Sequence, residues 1–411
     1  MLPAIIEAAP PADMLHLAIE AALALLTLCG IAFYLIALWS ARDFRRERKF
    51  QPTSTSLPPV SILKPLKGAD ICSYEALRSH CMQEYGTYEI LFGVNDANDE
   101  AIPLVRRLMS EFPNRDLNLV VCKEVLGSNR KVSNLIHLLR QAKHQHVLVN
   151  DGDIKVAPKY LQTVMADFTN PEAGMITCLY RGSAASTLGS RLEALGIATD
   201  FAPGVLTARS LDKGLTFGLG STLAMSPRAL QEIGGFHAVV DYLADDYQLG
   251  RRIADAGFKV ALSREVVETS VPPYSFTQFW EHQLRWARTM RVSRPSGYAG
   301  VALTFGLPWA ILLVAIALGS WWSWILLAGA LLARLAVAFD IGVGTLSDRH
   351  VLQDFWLLPV RDLLALAIWF WSYASNAVTW RGEKFRLEDG RMYPISTPNA
   401  DIVKSGRSAS S

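Results

Sequence analysis

Paired cysteines, net charge and a basic leader are what this chain lacks. Its five cysteines (Cys29, Cys72, Cys81, Cys122, Cys178) are odd in number and show no metal-ligand spacing. That excludes a disulfide framework and a cysteine-based zinc site, and fits a reducing compartment in which each thiol is a small apolar filler. Forty Lys and Arg against 38 Asp and Glu leave a formal charge of only +2. No global basic field therefore argues for a nucleic-acid partner. Nothing basic precedes the first long apolar run, whereas "RDFRRERK" follows it, which excludes a cleaved secretory signal. No lysine follows the glycine-spaced stretch "GLTFGLGSTLAMSPRAL" in the position a nucleotide-triphosphate loop requires, so Gly214, Gly218 and Gly220 predict close backbone approach instead.

Apolar residues are abundant, at 51% of the 411-residue chain. From Met14 to Trp39 the sequence is apolar apart from His16 and Glu20, leaving 19 uncharged residues from Ala21. That length spans a bilayer core. The basic run behind it places the amino terminus outside and the rest inside the cell, so the reading is a multi-pass inner-membrane protein with a cytosolic middle domain. Three more apolar stretches follow: Val301 to Gly319, Trp322 to Phe339, and Phe355 to Val378, the last interrupted by Arg361 and Asp362. Three spans would put the basic tail "RGEKFRLEDGR" outside, while a re-entrant or interfacial third segment keeps it inside; two to three carboxy-terminal helices thus stay open.

Between these regions the pattern becomes strand and helix in alternation. "PVSILKP", "YEILFGVND", "LNLVVCKE" and "HVLVNDGD" read as strands; "AIPLVRRLMSEF" and "KVSNLIHLLRQAK" read as helices between them. The pattern predicts an α/β domain with a Rossmann-like, mostly parallel sheet whose ligand lies beyond the carboxyl ends of the strands. The divisions are a membrane anchor over 1–40, a basic linker over 41–56, the cytosolic α/β domain over 57–275, an amphipathic segment over 276–298, membrane segments over 299–380, and a polar tail over 381–411.

Acidic residues gather where such a ligand would sit. Asp96 closes the second strand, and Asp151-Gly152-Asp153 follows the fourth. A lone Asp there is a turn former, but two carboxylates one residue apart can hold Mg²⁺ or Mn²⁺ together with substrate phosphates. Asp245 and Asp246 open a helix; one acid satisfies the helix dipole, and a second can act as a general base. Lys131 opens another helix, where it either meets an anionic group or remains a solvated lysine. In "FWEHQLRWARTMRVSRPSGY", Phe276, Trp280, Leu284 and Ala287 recur at helical spacing for an interface, while Arg285, Arg288 and Arg291 wind along another part of the surface.

The ordered set Asp96, Asp151-x-Asp153, "ADDY" and "HQLRW", together with "VSILKPLKG" and "NRKVSNL", resembles the inverting family-2-like glycosyltransferases of GT-A fold. More closely, it resembles the ceramide glucosyltransferase family, family 21, and its bacterial relatives of hopanoid biosynthesis. The resemblance implies a UDP-sugar donor, a divalent metal and a membrane-lipid acceptor. It makes Asp96 a contact to the nucleotide base or ribose, Asp151 and Asp153 the diphosphate and metal site, and Asp246 the catalytic base. Arg285 and Trp286 match the end of the family's Q-x-x-R-W signature, near donor diphosphate and acceptor; His282 stands where that signature has Gln or Arg. The implied reaction is transfer of N-acetylglucosamine to a hopanoid polyol, bacteriohopanetetrol, with glucose transfer to ceramide as the alternative. A processive polysaccharide synthase and an inactive membrane receptor on the same fold are the remaining readings.

Overall fold

The computed structural model describes residues 11–48, 57–68, 73–212 and 214–395. Cys72, the linker beyond residue 48 and the tail beyond residue 395 lie outside the described residues.

Eight strands form one sheet: β1 (Val60–Pro65), β2 (Tyr88–Val94), β3 (Asp116–Val121), β4 (His146–Val149), β5 (Ile154–Lys155), β6 (Ala173–Ala184), β7 (Leu223–Met225) and β8 (Lys259–Val271), in the order β3-β2-β1-β4-β7-β6-β8-β5. Every residue of β1 and β2 is buried, as befits strands covered on both faces. The first half is the parallel sheet that the alternation predicts, with β1 pairing in parallel with β2 and β4, and β2 with β3. The second half is mixed. β7 runs antiparallel to both β4 and β6, β5 runs antiparallel to β8, and β6 and β8 are a long parallel pair. A three-residue strand such as β7 is too short to carry a periodic signal, which is why the sequence reading passes over it.

Around this domain lie apolar helices. Pro11–Arg48 is one continuous helix, and Trp321–Val337 runs on through a wider turn at Ala338–Val343; both are long and apolar enough to cross a membrane. The expected span from Val301 is broken: Pro295–Thr304 and Gly306–Ile316 meet at 57°. At that break the amino-terminal helix presses in, for a Cβ at Gly30 would lie 2.2 Å from the Gly306 Cα. Small residues let helix backbones touch in this way. The last apolar stretch gives only the 15-residue helix Leu358–Ser372.

Arg361 and Asp362, which interrupt that stretch, point inward. Asp362 accepts from Arg334 Nε at 2.9 Å and Nη2 at 2.6 Å, and Arg334 also donates to the Thr199 carbonyl. Arg361 Nη2 donates to Gln283 Oε1 at 3.0 Å and lies 3.3 Å from Asp200. Buried charges beside apolar spans are thus paired with one another. Beyond them the chain folds back as a second sheet, all antiparallel, of β9 (Ala377–Trp380), at the end of the stretch read as a membrane segment, with β10 (Glu383–Glu388) and β11 (Arg391–Pro394) from the polar tail. Leu243 packs with Val378, Phe385, Leu387 and Met392, and the Met392 amide donates to the Asp241 carbonyl at 2.8 Å. The tail is therefore fixed to the loop that carries Asp245 and Asp246.

Candidate active site

The site begins at the end of β4, where Asn150 is fully buried. Its Nδ2 donates to the Tyr160 hydroxyl at 2.9 Å and to the Ser221 carbonyl at 2.6 Å, and His80 Nε2 lies 3.2 Å from its Oδ1. This polar plug fixes where the chain leaves the sheet and so where Asp151 and Asp153 emerge. Lys64 Nζ, from β1, donates to the Asp151 carbonyl at 3.0 Å. Burial pulls the Lys64 amine down to about 7, against the pull of Asp153 and Asp151. The Asp153 carboxylate accepts from the Thr269 hydroxyl. Burial and then Asp151 raise its pKa above the ordinary value.

Lys131 joins the two acidic segments. Asn129 caps the helix Arg130–Leu139 by accepting from the Val132 amide at 3.1 Å, and holds the opposite loop by donating to the Tyr242 carbonyl at 2.8 Å. One residue into that helix, Lys131 Nζ lies 2.7 Å from Asp151 Oδ1 and 3.2 Å from Asp245 Oδ2. Burial disfavours its charge, yet Asp151 and Asp245 outweigh burial and hold its pKa above the usual lysine value.

Asp246 turns the other way. Its Oδ2 accepts from the Gly220 amide at 2.8 Å and its Oδ1 from the Tyr247 amide at 2.7 Å. The helix Asp245–Asp255 and the glycine loop are backbone against backbone, since a Cβ at Gly250 would lie 2.1 Å from the Gly218 nitrogen. A Cβ at Gly220 would lie 3.2 Å from both Asp151 Oδ2 and Asp246 Oδ2. The glycine spacing thus brings two carboxylates from distant segments to one point. Burial and then Asp245 raise the Asp246 pKa to about 6, with Lys131 opposing.

On the membrane side stands the helix Phe276–Ser293, started by a Ser275/Gln278 capping box. The face it buries is Phe279 and Leu284; Phe276 is half exposed. Trp286 lies 5.6 Å from the His282 ring and 6.3 Å from Phe201, which packs on Tyr180 at 4.9 Å, all between ring centroids. The Tyr180 hydroxyl is pushed well up by burial, and then by Asp246, Glu193, Asp151 and Asp153. Glu193, buried, accepts from Gln283 Nε2 at 2.8 Å and lies 3.3 Å from His282 Nδ1. Burial lowers the Arg285 pKa, with Tyr274 and Glu193 opposing. Arg288 and Arg291 turn instead toward the tail. Arg288 Nη1 donates to the Ala377 carbonyl at 2.6 Å and Arg291 Nη2 to the Ser375 carbonyl at 3.1 Å, clasping the entry to β9.

The structure thus brings Lys131, Asp151, Asp153 and Asp246 together, with Arg285 and Trp286 on the facing helix. Asp96 stands apart: it is exposed at the end of β2, two strands from β4, and its Oδ1 caps its own turn by accepting from the Asn98 amide at 2.9 Å. Among the described residues no cluster of three or more metal-binding side chains occurs. Asp151 and Asp153 nevertheless fit a divalent cation completed by phosphate oxygens, because Asp153 carries the mutual repulsion with Asp151 that a cation relieves. Lys64, Asn150 and Glu193 escape the sequence reading; a buried polar residue inside an apolar strand, as Lys64 is, was the one signal that could have found them.

The chain is 30% identical over 261 residues to ceramide glucosyltransferase 3 of Caenorhabditis elegans, covering 63% of this chain and 56% of that protein. To ceramide glucosyltransferase 1 of the same organism it is 24% identical over 363 residues, covering 84% and 75%. In fold it is similar to the mannosyltransferase PcManGT from Pyrobaculum calidifontis, solved in complex with GDP-Man and Mn²⁺, at a TM-score of 0.53 and 18% identity over 86% of this chain and 99% of that one. That likeness shows a Rossmann-like GT-A fold with apolar helices at both ends. The model of glycosyl transferase family 21 matches residues 22–393, from within the first apolar helix through the last strand of the tail, and the chain belongs to that family.

Proposed function

We propose that this protein is a multi-pass membrane glycosyltransferase that moves a hexose from a UDP-sugar to a lipid hydroxyl, with inversion. The observation that carries the reading is the meeting of Asp246 and Asp151 at Gly220: a carboxylate with a pKa raised to about 6 stands beside the acidic pair suited to a metal diphosphate. Transfer demands both a base for the acceptor and charge stabilisation for the leaving group.

In this mechanism Asp246 takes the acceptor hydroxyl proton as the oxygen attacks the anomeric carbon. The bond to the diphosphate breaks with its electron pair on the leaving oxygen. Arg285 and Lys131 face the charge that develops there. A divalent metal held by Asp151 and Asp153, when bound, supplies further neutralisation of the diphosphate. Asp96, outside the acidic cluster, is assigned to the nucleotide base or ribose. Attack opposite the leaving group converts an α-linked donor to a β-linked product. The lipid reaches the site along Trp286, Phe201 and Tyr180, from apolar helices whose basic flank "RDFRRERK" favours a cytosolic catalytic domain at a bacterial inner membrane.

For the substrates, N-acetylglucosamine to a hopanoid polyol is our proposal, and glucose to ceramide fits the relatives equally well. Membranes containing the protein, supplied with UDP-N-acetylglucosamine or UDP-glucose and with a hopanoid polyol or ceramide, separate them by mass spectrometry of the lipids. A metal-dependent β-linked glycolipid from one pair identifies donor and acceptor. An α-linked product, or none from any pair with folded protein, overturns the reading.

A further inference from the structure

The two hairpin turns of the carboxy-terminal sheet differ in a way folding does not explain. Between β10 and β11 stand Asp389 and Gly390, at φ 48° and 79°. Asp-Gly is an ordinary choice for a two-residue turn with both residues left-handed. Between β9 and β10 the corresponding pair is Arg381 and Gly382, at φ 52° and 84°. Arginine has no local side-chain bond to offset the left-handed backbone, and non-glycine residues held there cluster at functional sites.

This strained arginine is brought to the active site by several independent ties. Arg288 and Arg291 clasp the chain just before β9, Arg130 Nη2 pairs with Glu383 at 2.6 Å just after the turn, and Met392 hydrogen-bonds Asp241. The turn so placed closes a small cleft lined by Lys67, Ser128, Arg130, Trp380, Arg381 and Glu383, among others. Three of those six are cations, and Arg130 is followed in its helix by Lys131, whose Nζ lies 2.7 Å from Asp151 Oδ1. Among the described residues Arg381 forms no hydrogen bond or ion pair; its guanidinium rests over the Trp380 ring at 5.1 Å. It is close enough to Arg285 to oppose that residue's charge, as well as to feel Asp151, Asp245 and Asp99. Arg381, tied through the Arg288 and Arg291 clasp to the helix that carries Arg285 and sharing its cleft with Lys67 and Arg130, has no ion pair among the described residues and so describes a gap for an anion.

We infer that the β9–β10 hairpin is a strap over the donor site and that Arg381 binds the diphosphate of the nucleotide sugar opposite Arg285. The inference rests on the proposed use of a nucleotide-diphosphate sugar. It assigns to the tail a part in holding the leaving group that none of the acidic motifs supplies.

The test compares UDP with UMP by calorimetry on the full-length protein in detergent with Mn²⁺. Arg381→Asn is the informative variant, because asparagine suits a left-handed turn position and leaves the hairpin at least as stable. The expected result is a loss of about 10- to 100-fold in UDP affinity with UMP affinity nearly unchanged, and partial recovery in Arg381→Lys. Wild type that prefers UDP while Arg381→Asn keeps the same preference overturns the strap alone. Wild type that binds neither nucleotide overturns the proposed function as well.

Discussion

The Gly220 amide donates to Asp246 Oδ2 at 2.8 Å, and the same glycine passes so near Asp151 Oδ2 that a methyl group there would lie 3.2 Å from it. A loop residue without a side chain is thus the point at which the proposed base and the proposed metal ligand are set relative to one another. Close to both oxygens, Gly220→Ala places its Cβ at 3.2 Å, so one carboxylate must give by a few tenths of an ångström. We expect kcat to fall roughly 10-fold, since small misplacements at reacting groups are costly, with the thermal midpoint little changed. Unchanged turnover in a variant that folds normally shows that the spacing of the two acids is not set there.

Asp246→Asn removes the proton acceptor while keeping shape. The expectation is a fall in kcat of about 10²- to 10⁴-fold with UDP binding preserved. For the wild type the sign of the pH effect follows from the raised pKa of about 6: the base works when deprotonated, so turnover falls as pH drops through 6. A rate profile on the full-length protein checks both. A profile flat from pH 7 to pH 5 removes Asp246 from the role of base.

How much of this was legible in the sequence follows from what each signal is made of. The strands β1 to β4 are apolar runs long enough to read, and the acids at their ends stand out because each follows such a run. Gly218, Gly220 and Gly250 reveal their purpose only when the helix Asp245–Asp255 lies on the loop. Lys64, a lysine inside an apolar strand, carries a faint local signal of its burial, whereas Asn150, at the end of its strand, is fully buried with nothing local to say so. Arg361 and Asp362 read as flaws in an apolar segment until Arg334, some 30 residues away in sequence, is found facing Asp362. The polar tail reads as a tail because alternating charges hide a two-residue apolar period, Phe385 and Leu387, that packs with Val378, Met392 and the distant Leu243.

Lys131 is a second place where charge balance decides stability. It is the cation between Asp151 and Asp245, and removing it as Lys131→Met leaves two acids facing each other near the partly buried Asp246. Breaking a buried pair in this way costs about 3 to 5 kcal/mol, of which the part owed to Asp151 is reduced by its exposure to water. Because its pKa is raised above 10.5, the lysine's own contribution is full below pH 10 and is lost only as pH climbs beyond that. The variant should therefore melt lower than wild type at pH 7, and the gap should narrow at pH 5 as Asp246, raised to about 6, takes up a proton. Equal melting at pH 7 shows that a solvent counter-ion does the same work.

The buried knot of Arg334 and Asp362 joins the membrane helices to the catalytic domain through the wider helical turn Ile197–Phe201, whose last residue packs against Tyr180 and Trp286. Neither side chain is more than a few per cent exposed, so Arg334→Met strands Asp362 without the cation that pairs with it and leaves Asp200 with Arg361 alone. A loss of about 3 to 5 kcal/mol follows for the single change, whereas Arg334→Met combined with Asp362→Leu restores most of it, because apolar replacement of a whole buried pair is near neutral. Melting of the purified protein in detergent reads the difference. The kinetic consequence separates a scaffold from a positioning device. If the knot sets the aromatic path, the double variant regains stability but keeps a raised KM for the lipid acceptor, with the KM for the sugar nucleotide unmoved. If both KM values return with stability, the knot holds the domains together and does nothing more.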